Sequence, residues 1–215
     1  TGRTIGGNGK LTNYGSMTMG SSTLNANFAN FGLLTVASGN NTISGTGAFD
    51  IDGGTISIAS GATLLKSGGT VNWHGGTLAG AGALNLAGGA TFNVNGSGAR
   101  VLNGLSLTAN SFDVAGGSLD LLSGSLAISG GSLAAGSTLT LHGGTLSNSG
   151  PLNVAGALDL AGGALAGAGT LNVSGALIKS ASGTLALNQI VNNSGLVDVQ
   201  AGTLNLAGGG THTGS

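Results

Sequence analysis

Short triplets, in which two apolar residues flank one further residue, recur along this chain and constrain its fold more than any other feature. From Ile43 to Leu204 the apolar segments begin about 6.7 residues apart, with Gly-Gly, Ser-Gly, Ala-Gly or Asn-Gly between them. Alternation over three to five residues is typical of β-strands, and glycine pairs are typical of tight turns. A helix is disfavoured because each interior glycine costs about 1 kcal/mol relative to alanine. The pattern therefore predicts short strands joined by tight corners.

A longer period is superimposed on these triplets. Residues 161–179 repeat residues 142–160 at ten of 19 positions, and a third copy, HGGTLAGAGALNLAGG, starts at His74. A repeat of 19 to 20 residues equals three of the shorter steps, so each repeat forms one triangular coil. Parallel crossovers are right-handed in about 98 % of cases. We therefore predict an all-β fold, a right-handed parallel β-helix (β-solenoid) with three short strands per coil of about 20 residues and about ten coils.

We expect one continuous solenoid over residues 1–215. The sequence starts without an initiating methionine, a basic segment or an apolar segment, which indicates a piece of a longer protein. The stretch NVNGSGARVLNG disturbs the spacing of the triplets, so an insertion or irregular coil is expected at 95–104.

The triplets also predict which side chains are buried, because successive residues of a strand point to opposite faces. The outer residues are aliphatic or aromatic and should point inward, whereas five of the six acidic residues occupy the outward middle position. The residues expected to be buried are Leu84, Leu86, Phe92, Val94, Leu119, Leu121, Leu152, Val154, Leu171 and Val173. Those expected to be exposed are Asp113, Asp120, Asp159 and Asn172.

Composition excludes several classes of protein. Disorder requires low hydrophobicity and high net charge, whereas this chain is 40 % hydrophobic with a net charge of -1. Collagen needs a strict glycine period with abundant proline, and the chain has one proline among its 215 residues. Five basic residues are too few for a nucleic-acid surface, and no apolar run is long enough to span a membrane. We therefore expect no nucleic-acid partner and no membrane span in this segment.

Few residues suggest chemistry, and the sequence predicts no enzyme, no catalytic, cofactor-binding or metal site, and no cofactor. Asp50 and Asp52 share one strand and are interpreted as a solvated pair, with a weak cation site as the alternative. His74 and His142 occupy the same place in two HGGTL copies about three coils apart, too far to share a metal. They are interpreted as exposed corner residues. Trp73 is expected inside, the alternative being an exposed platform for a sugar.

The repeats resemble the passenger β-helix of bacterial surface exoproteins, that is, the autotransporter and filamentous-haemagglutinin-like adhesin families. The resemblance covers roughly residues 30–215 and rests on VNWHGGTLAGAGALNLAGGATFNV (71–94), HGGTLSNSGPLNVAGALDLAGGALAGAGTLNV (142–173) and VNNSGLVDVQAGTLNLAGGGTHTGS (191–215). It implies export to the bacterial cell surface and service as an adhesive rod, adhesin shaft or matrix fibre. A host or matrix surface is the implied partner.

The ends of the coil carry a further expectation. Solenoids need polar capping repeats, yet both terminal segments continue the glycine-rich pattern. The open faces should then be covered by further coils of the same chain or by another copy, end to end. Two other functions stay open at this stage: a polysaccharide-active β-helix enzyme, and a repetitive surface that binds a ligand such as ice or a glycan.

Overall fold

A computed structural model of the chain describes residues 3–215, with the side chains of residues 3–7 and 9–215. The described residues form strands and no helix, and so no helix that is long and apolar enough to cross a membrane. The strands are β1 Thr4–Asn13, β2 Ser16–Gly20, β3 Thr23–Asn30, β4 Leu33–Ser38, β5 Asn40–Ser44, β6 Phe49–Ile58, β7 Thr63–Ser67, β8 Thr70–Ala79, β9 Ala83–Ala87, β10 Thr91–Val94, β11 Ala99–Asn103, β12 Ser106–Ala109, β13 Ser111–Val114, β14 Ser118–Leu121, β15 Ser125–Ile128, β16 Gly131–Leu133, β17 Thr138–Leu141, β18 Thr145–Asn148, β19 Leu152–Val154, β20 Ala157–Asp159, β21 Ala164–Ala166, β22 Leu171–Val173, β23 Ala176–Lys179, β24 Thr184–Ala186, β25 Val191–Asn193, β26 Leu196–Val199 and β27 Thr203–Asn205.

The strands stack as three parallel sheets around one interior, in about ten coils. Sheet A contains the second halves of β1 and β3, the first halves of β6 and β8, and then every third strand from β10 to β25. Sheet B runs from β2 and β4 through the second halves of β6 and β8 to β26. Sheet C runs from the start of β1 through β5, β7 and β9 to β21, and β24 then pairs with β27 separately. The predicted β-solenoid is confirmed.

The 19-residue repeat is the register of the stacked coils. Leu152, Asn153 and Val154 pair with Leu171, Asn172 and Val173, and the neighbouring sheet keeps the same offset. Within 95–104, where an irregular coil was expected, Ala99–Asn103 form β11 and pair with β8 and β14; the offset to the preceding coil rises from 21 residues at Val94 to 24 at Arg100, so this corner is three residues longer. Inward side chains therefore lie directly above one another, about 4.8 Å apart, and many of them are identical, as Leu152 and Leu171 are.

These ladders of apolar side chains form one continuous core. All ten residues predicted to be buried are at most 6 % exposed. Aromatic side chains of sheet A also pack in this core. The rings of Phe28 and Phe49 are tilted, with centroids 5.5 Å apart, and those of Phe92 and Phe112 are stacked, with centroids 5.7 Å apart. Because a single coil exposes its apolar face, the burial that stabilises this fold arises between coils.

The outward positions are less exposed than expected. Asp113, Asp120, Asp159 and Asn172 point away from the core, yet each is only half-buried rather than exposed. The reason is the stacking itself, because an outward side chain has neighbours directly above and below it at the spacing of adjacent strands.

Glycines let successive corners stack backbone against backbone. Gly54 has φ +63° and Gly167 has φ +99°, a region that side chains other than glycine rarely adopt. A Cβ atom on Gly54 would lie 2.1 Å from the carbonyl oxygen of Gly32, and one on Gly167 would lie 2.0 Å from that of Asn148. Any larger residue at these two corners would separate adjacent coils.

Buried polar side chains close several other corners. In each, the last inward residue before the corner donates a side-chain hydrogen bond to the carbonyl oxygen two residues later, so the buried polar group has a partner. Asparagine does so at distances of 2.9 to 3.2 Å, tryptophan at 3.0 Å and Lys66 at 2.5 Å. The donor and acceptor pairs are Asn30 and Gly32, Lys66 and Gly68, Trp73 and Gly75, Asn148 and Gly150, Lys179 and Ala181, and Asn193 and Gly195.

Candidate functional site

A ladder of polar side chains runs along the outside of sheet A. Its members are the outward residues of successive coils, and most of them donate a side-chain hydrogen bond to the residue one coil earlier. The bond lengths include 2.9 Å from Asn72 to Asp50 and 2.9 Å from Asn172 to Asn153. The ladder consists of Asp50, Asn72, Asn93, Asp113, Ser132, Asn153, Asn172, Asn192 and Thr211.

Near its first coils the ladder is charged. Lys10 Nζ donates to Asp50 Oδ2 at 2.9 Å, and Asn72 Nδ2 donates to Asp50 Oδ1, also at 2.9 Å. Partial burial opposes ionisation of Asp50, but the hydrogen bonds from Asn72 and Lys10 outweigh it and lower the pKa of Asp50 below its usual value. The hydrogen bond to Asp50 and the charge of that carboxylate raise the pKa of Lys10. Asp50 is therefore held ionised by its neighbours.

Asp52 does not act together with Asp50. A register shift follows Ile51, so Asp52 lies at the corner between sheets A and B, where its Oδ1 contacts His74 Nδ1 at 2.5 Å. The two aspartates of the FDID segment thus have separate partners, and neither is the free solvated carboxylate that the sequence suggested.

The histidines lie at corners, as expected, but at different ones. His74 follows the sheet A half of β8, whereas His142 follows β17 of sheet B, so the two HGGTL copies are out of phase by one face. His142 lies 3.8 Å from Asp120 of the preceding coil. His74 and His142 therefore each have an aspartate partner, and within residues 3–215 no group of three histidine, aspartate or glutamate side chains is close enough to hold a metal ion.

Trp73 lies inside, as predicted, which excludes the sugar platform that was its alternative. Its side chain is fully buried, contacts Phe92 edge-on and donates to the carbonyl oxygen of Gly75. It fills the core at the level of His74.

Three of the five basic residues are buried. The alternation of inward and outward residues in the sequence did not single them out. Lys66, Arg100 and Lys179 point inward, and their cationic groups donate to backbone carbonyl oxygens. Arg100 donates to the carbonyl oxygens of Trp73, Asn95, Gly116 and Ser118, and so connects three successive coils. Burial lowers the pKa of both Lys66 and Arg100. The positions of Lys66 and Lys179 in TLLKS and ALIK, two residues after an inward leucine, were the available signal.

Near the end of the ladder the surface forms an open groove of about 430 Å³. Asparagine, serine and threonine provide its polar lining, with no ionisable side chain among them. Amides and hydroxyls can donate and accept hydrogen bonds, but they offer no general base or metal ligand of ordinary strength. The groove therefore offers hydrogen-bonding amides and hydroxyls to whatever contacts it.

Comparisons with known proteins identify no relative of this chain. No protein-family model matches the chain, and no curated protein and no solved structure is significantly similar to it.

Proposed function

We propose that this protein is a rigid rod that serves as the shaft of an adhesin or as a matrix filament outside the cell. The observation that carries the proposal is the parallel pairing of each coil with the next on three faces around one core, interrupted only on sheet C between β21 and β24. Ten coils spaced by about 4.8 Å give a rod of roughly 50 Å.

The interior supports stiffness. Adjacent coils are connected by backbone hydrogen bonds and by continuous apolar ladders, and bending would strain both at once. Arg100 adds hydrogen bonds that span three coils near the middle of the chain. Such a rod transmits force along its axis without a hinge.

The proposed extracellular setting rests on the resemblance of the repeats to bacterial surface exoproteins and on the absence of cysteine from the sequence. A chain that folds in an oxidising exterior gains from having no thiol that could form a wrong disulfide. The outward amides and hydroxyls of sheet A then face the medium, and a host or matrix surface is the proposed partner.

The terminal coils present apolar side chains that are buried elsewhere. Val199 of the last sheet B strand is 45 % exposed, whereas Leu141, at the equivalent inward position of a middle coil, is fully buried. At the other end Ile5 is 51 % exposed. These surfaces fit further coils of the same kind, contributed by the same chain or by a second copy end to end, a contact that can propagate without closing.

Solution scattering tests the rod, and sedimentation tests its ends. A dilute sample of residues 1–215 should give a longest dimension of roughly 50 Å, and the particle should lengthen in steps with concentration. A compact particle at low concentration would overturn the rod.

A matched pair of variants tests the ends separately. Val199→Lys should suppress lengthening, because it places a charge on the inward side chain that the last coil exposes to the next one. Leu122→Lys changes a side chain of similar exposure on a middle coil and should leave lengthening intact. A wild-type protein that stays monomeric at high concentration would refute end-to-end assembly, while leaving the rod itself to the scattering result.

A further inference from the structure

Two aromatic side chains lie outside the solenoid, next to each other. Tyr14 is 77 % exposed and Phe31 is 42 % exposed, and their rings stack with centroids 5.0 Å apart and planes inclined by 20°. The five other aromatic residues, Phe28, Phe49, Trp73, Phe92 and Phe112, are all fully buried. The core of this fold has room for large aromatic rings, yet these two rings are exposed to solvent. Exposed apolar patches of this kind mark interaction sites.

The corner between sheets A and B holds this pair. Asn13 and Asn30 are buried at the ends of their strands, where Asn13 donates to Asn30 at 2.8 Å, and the chain then turns outward through Tyr14 and Phe31. The register continues from Asn30 to Ile51 and Trp73, so the same corner position in the next two coils is taken by Asp52 and His74. Two rings, a carboxylate and an imidazole thus form one column.

The polar half of this column is organised and accessible. Asp52 and His74 contact each other at 2.5 Å, and the imidazole is 41 % exposed. Beside them Asp50 is held ionised by Lys10 and Asn72. Within the described residues no side-chain hydrogen bond uses Nε2 of His74, so that nitrogen is available to a ligand.

We propose that this corner is a binding site for a neutral saccharide. A pyranose ring has an apolar face of C–H groups and an edge of hydroxyls, and sites for small ligands combine aromatic surface with a few oriented polar groups. The ring surface that Tyr14 and Phe31 leave exposed outside their mutual stack receives the apolar face, while Asp52 and His74 bond the hydroxyls. The two carboxylates exceed the single lysine in charge, so an anionic sugar is repelled.

A protein partner fits the corner less well. A stable interface needs about 800 Å² on each side, with a core depleted of charged residues. Besides the two rings, the large apolar side chain exposed near this corner is that of Leu33. The charged side chains of Lys10, Asp50 and Asp52 lie next to the rings along the column. Two rings flanked by charges match a ligand of the size of one or two sugar units.

The inference deepens the proposed function, because it gives the adhesive rod a class of ligand. The test uses residues 1–215 and soluble neutral polysaccharides: a β-glucan, an α-mannan, a galactan and chitin oligosaccharides. Calorimetric titration or retardation in a polysaccharide-containing gel should show binding to at least one of them.

Variants locate the binding. The double variant Tyr14→Ala/Phe31→Ala should weaken it by about tenfold or more, the usual size of the loss when an aromatic anchor is removed. His74→Ala should weaken it less. Ile190→Ala, which also truncates an exposed apolar residue, should bind as the wild type does.

Three results would overturn the inference: no binding to any polysaccharide of the set, unchanged binding by the double variant, or loss of self-association in the double variant, which would identify the corner as a protein contact. Scattering on the same samples separates this from the proposed function. A roughly 50 Å rod that binds no saccharide overturns only the site.

Discussion

Leu152 provides the sharpest test of the inward and outward assignment. It is fully buried on sheet A, with Gly131 in the coil before it and Leu171 in the coil after it. Leu→Ala changes in protein cores cost 2–5 kcal/mol, depending on how far the surroundings can collapse. Here the coils are fixed by backbone hydrogen bonds, including one of 2.9 Å from Leu152 to Thr170, and Gly131 has no side chain to move into the space.

We therefore expect Leu152→Ala to lower the free energy of unfolding by about 3–5 kcal/mol. Leu152→Asp should cost more, because it buries a carboxylate without a partner. The control is Asn153→Ala on the same strand, which loses one exposed hydrogen bond from Asn172 and should cost about 0.5–1 kcal/mol.

Urea denaturation followed by circular dichroism measures all three variants, with the slope of the transition checked against that of the wild type. A difference of 3 kcal/mol is more than a hundredfold in the unfolding equilibrium, so the two Ala variants should separate clearly. Equal losses for Leu152→Ala and Asn153→Ala would refute the assignment of faces on which the core is built.

Three further predictions concern the corners and the charges. Arg100→Met removes the hydrogen bonds from the guanidinium to four backbone carbonyl oxygens and should lower the free energy of unfolding by about 3 kcal/mol in the urea assay. Lys10→Met, at an exposed ion pair, should change it by less than about 1 kcal/mol. Gly167→Ala should destabilise by about 1–3 kcal/mol in thermal unfolding, because of its positive φ and the close carbonyl of the neighbouring coil, whereas Gly15→Ala, with no atom near its Cβ position, should change stability little. Because the pKa of Asp50 is lowered in the folded state, its stabilising contribution is present above the unfolded pKa of 3.8 and is lost as the pH falls through the folded pKa. The difference in unfolding free energy between wild type and Asp50→Asn should therefore shrink in acid. A difference that does not depend on pH would contradict the ion pair.

The candidate sites were less predictable than the fold. Tyr14 and Phe31 lie before the region where the triplets are regular, so the inward and outward alternation could not predict that their side chains are outside. Their stack, and its alignment with Asp52 and His74, depends on the number of residues in each coil, which varies from 17 to 22 over these corners. The aspartate partners of the two histidines are equally non-local, since each is contributed by the preceding coil.

The sequence by itself determined the strands, their alternation and the stacking of identical residues, because the triplets act locally and the 19-residue repeat is the register. It also determined the burial of the leucine and valine ladders, since a two-residue period leaves only one face for them. Only the tertiary structure decided that Arg100 lies inside and which carbonyl oxygens accept from Lys66, Arg100 and Lys179. The carbonyl oxygens that accept from each of these cations belong to different coils, so they come together only once successive coils have closed around the interior.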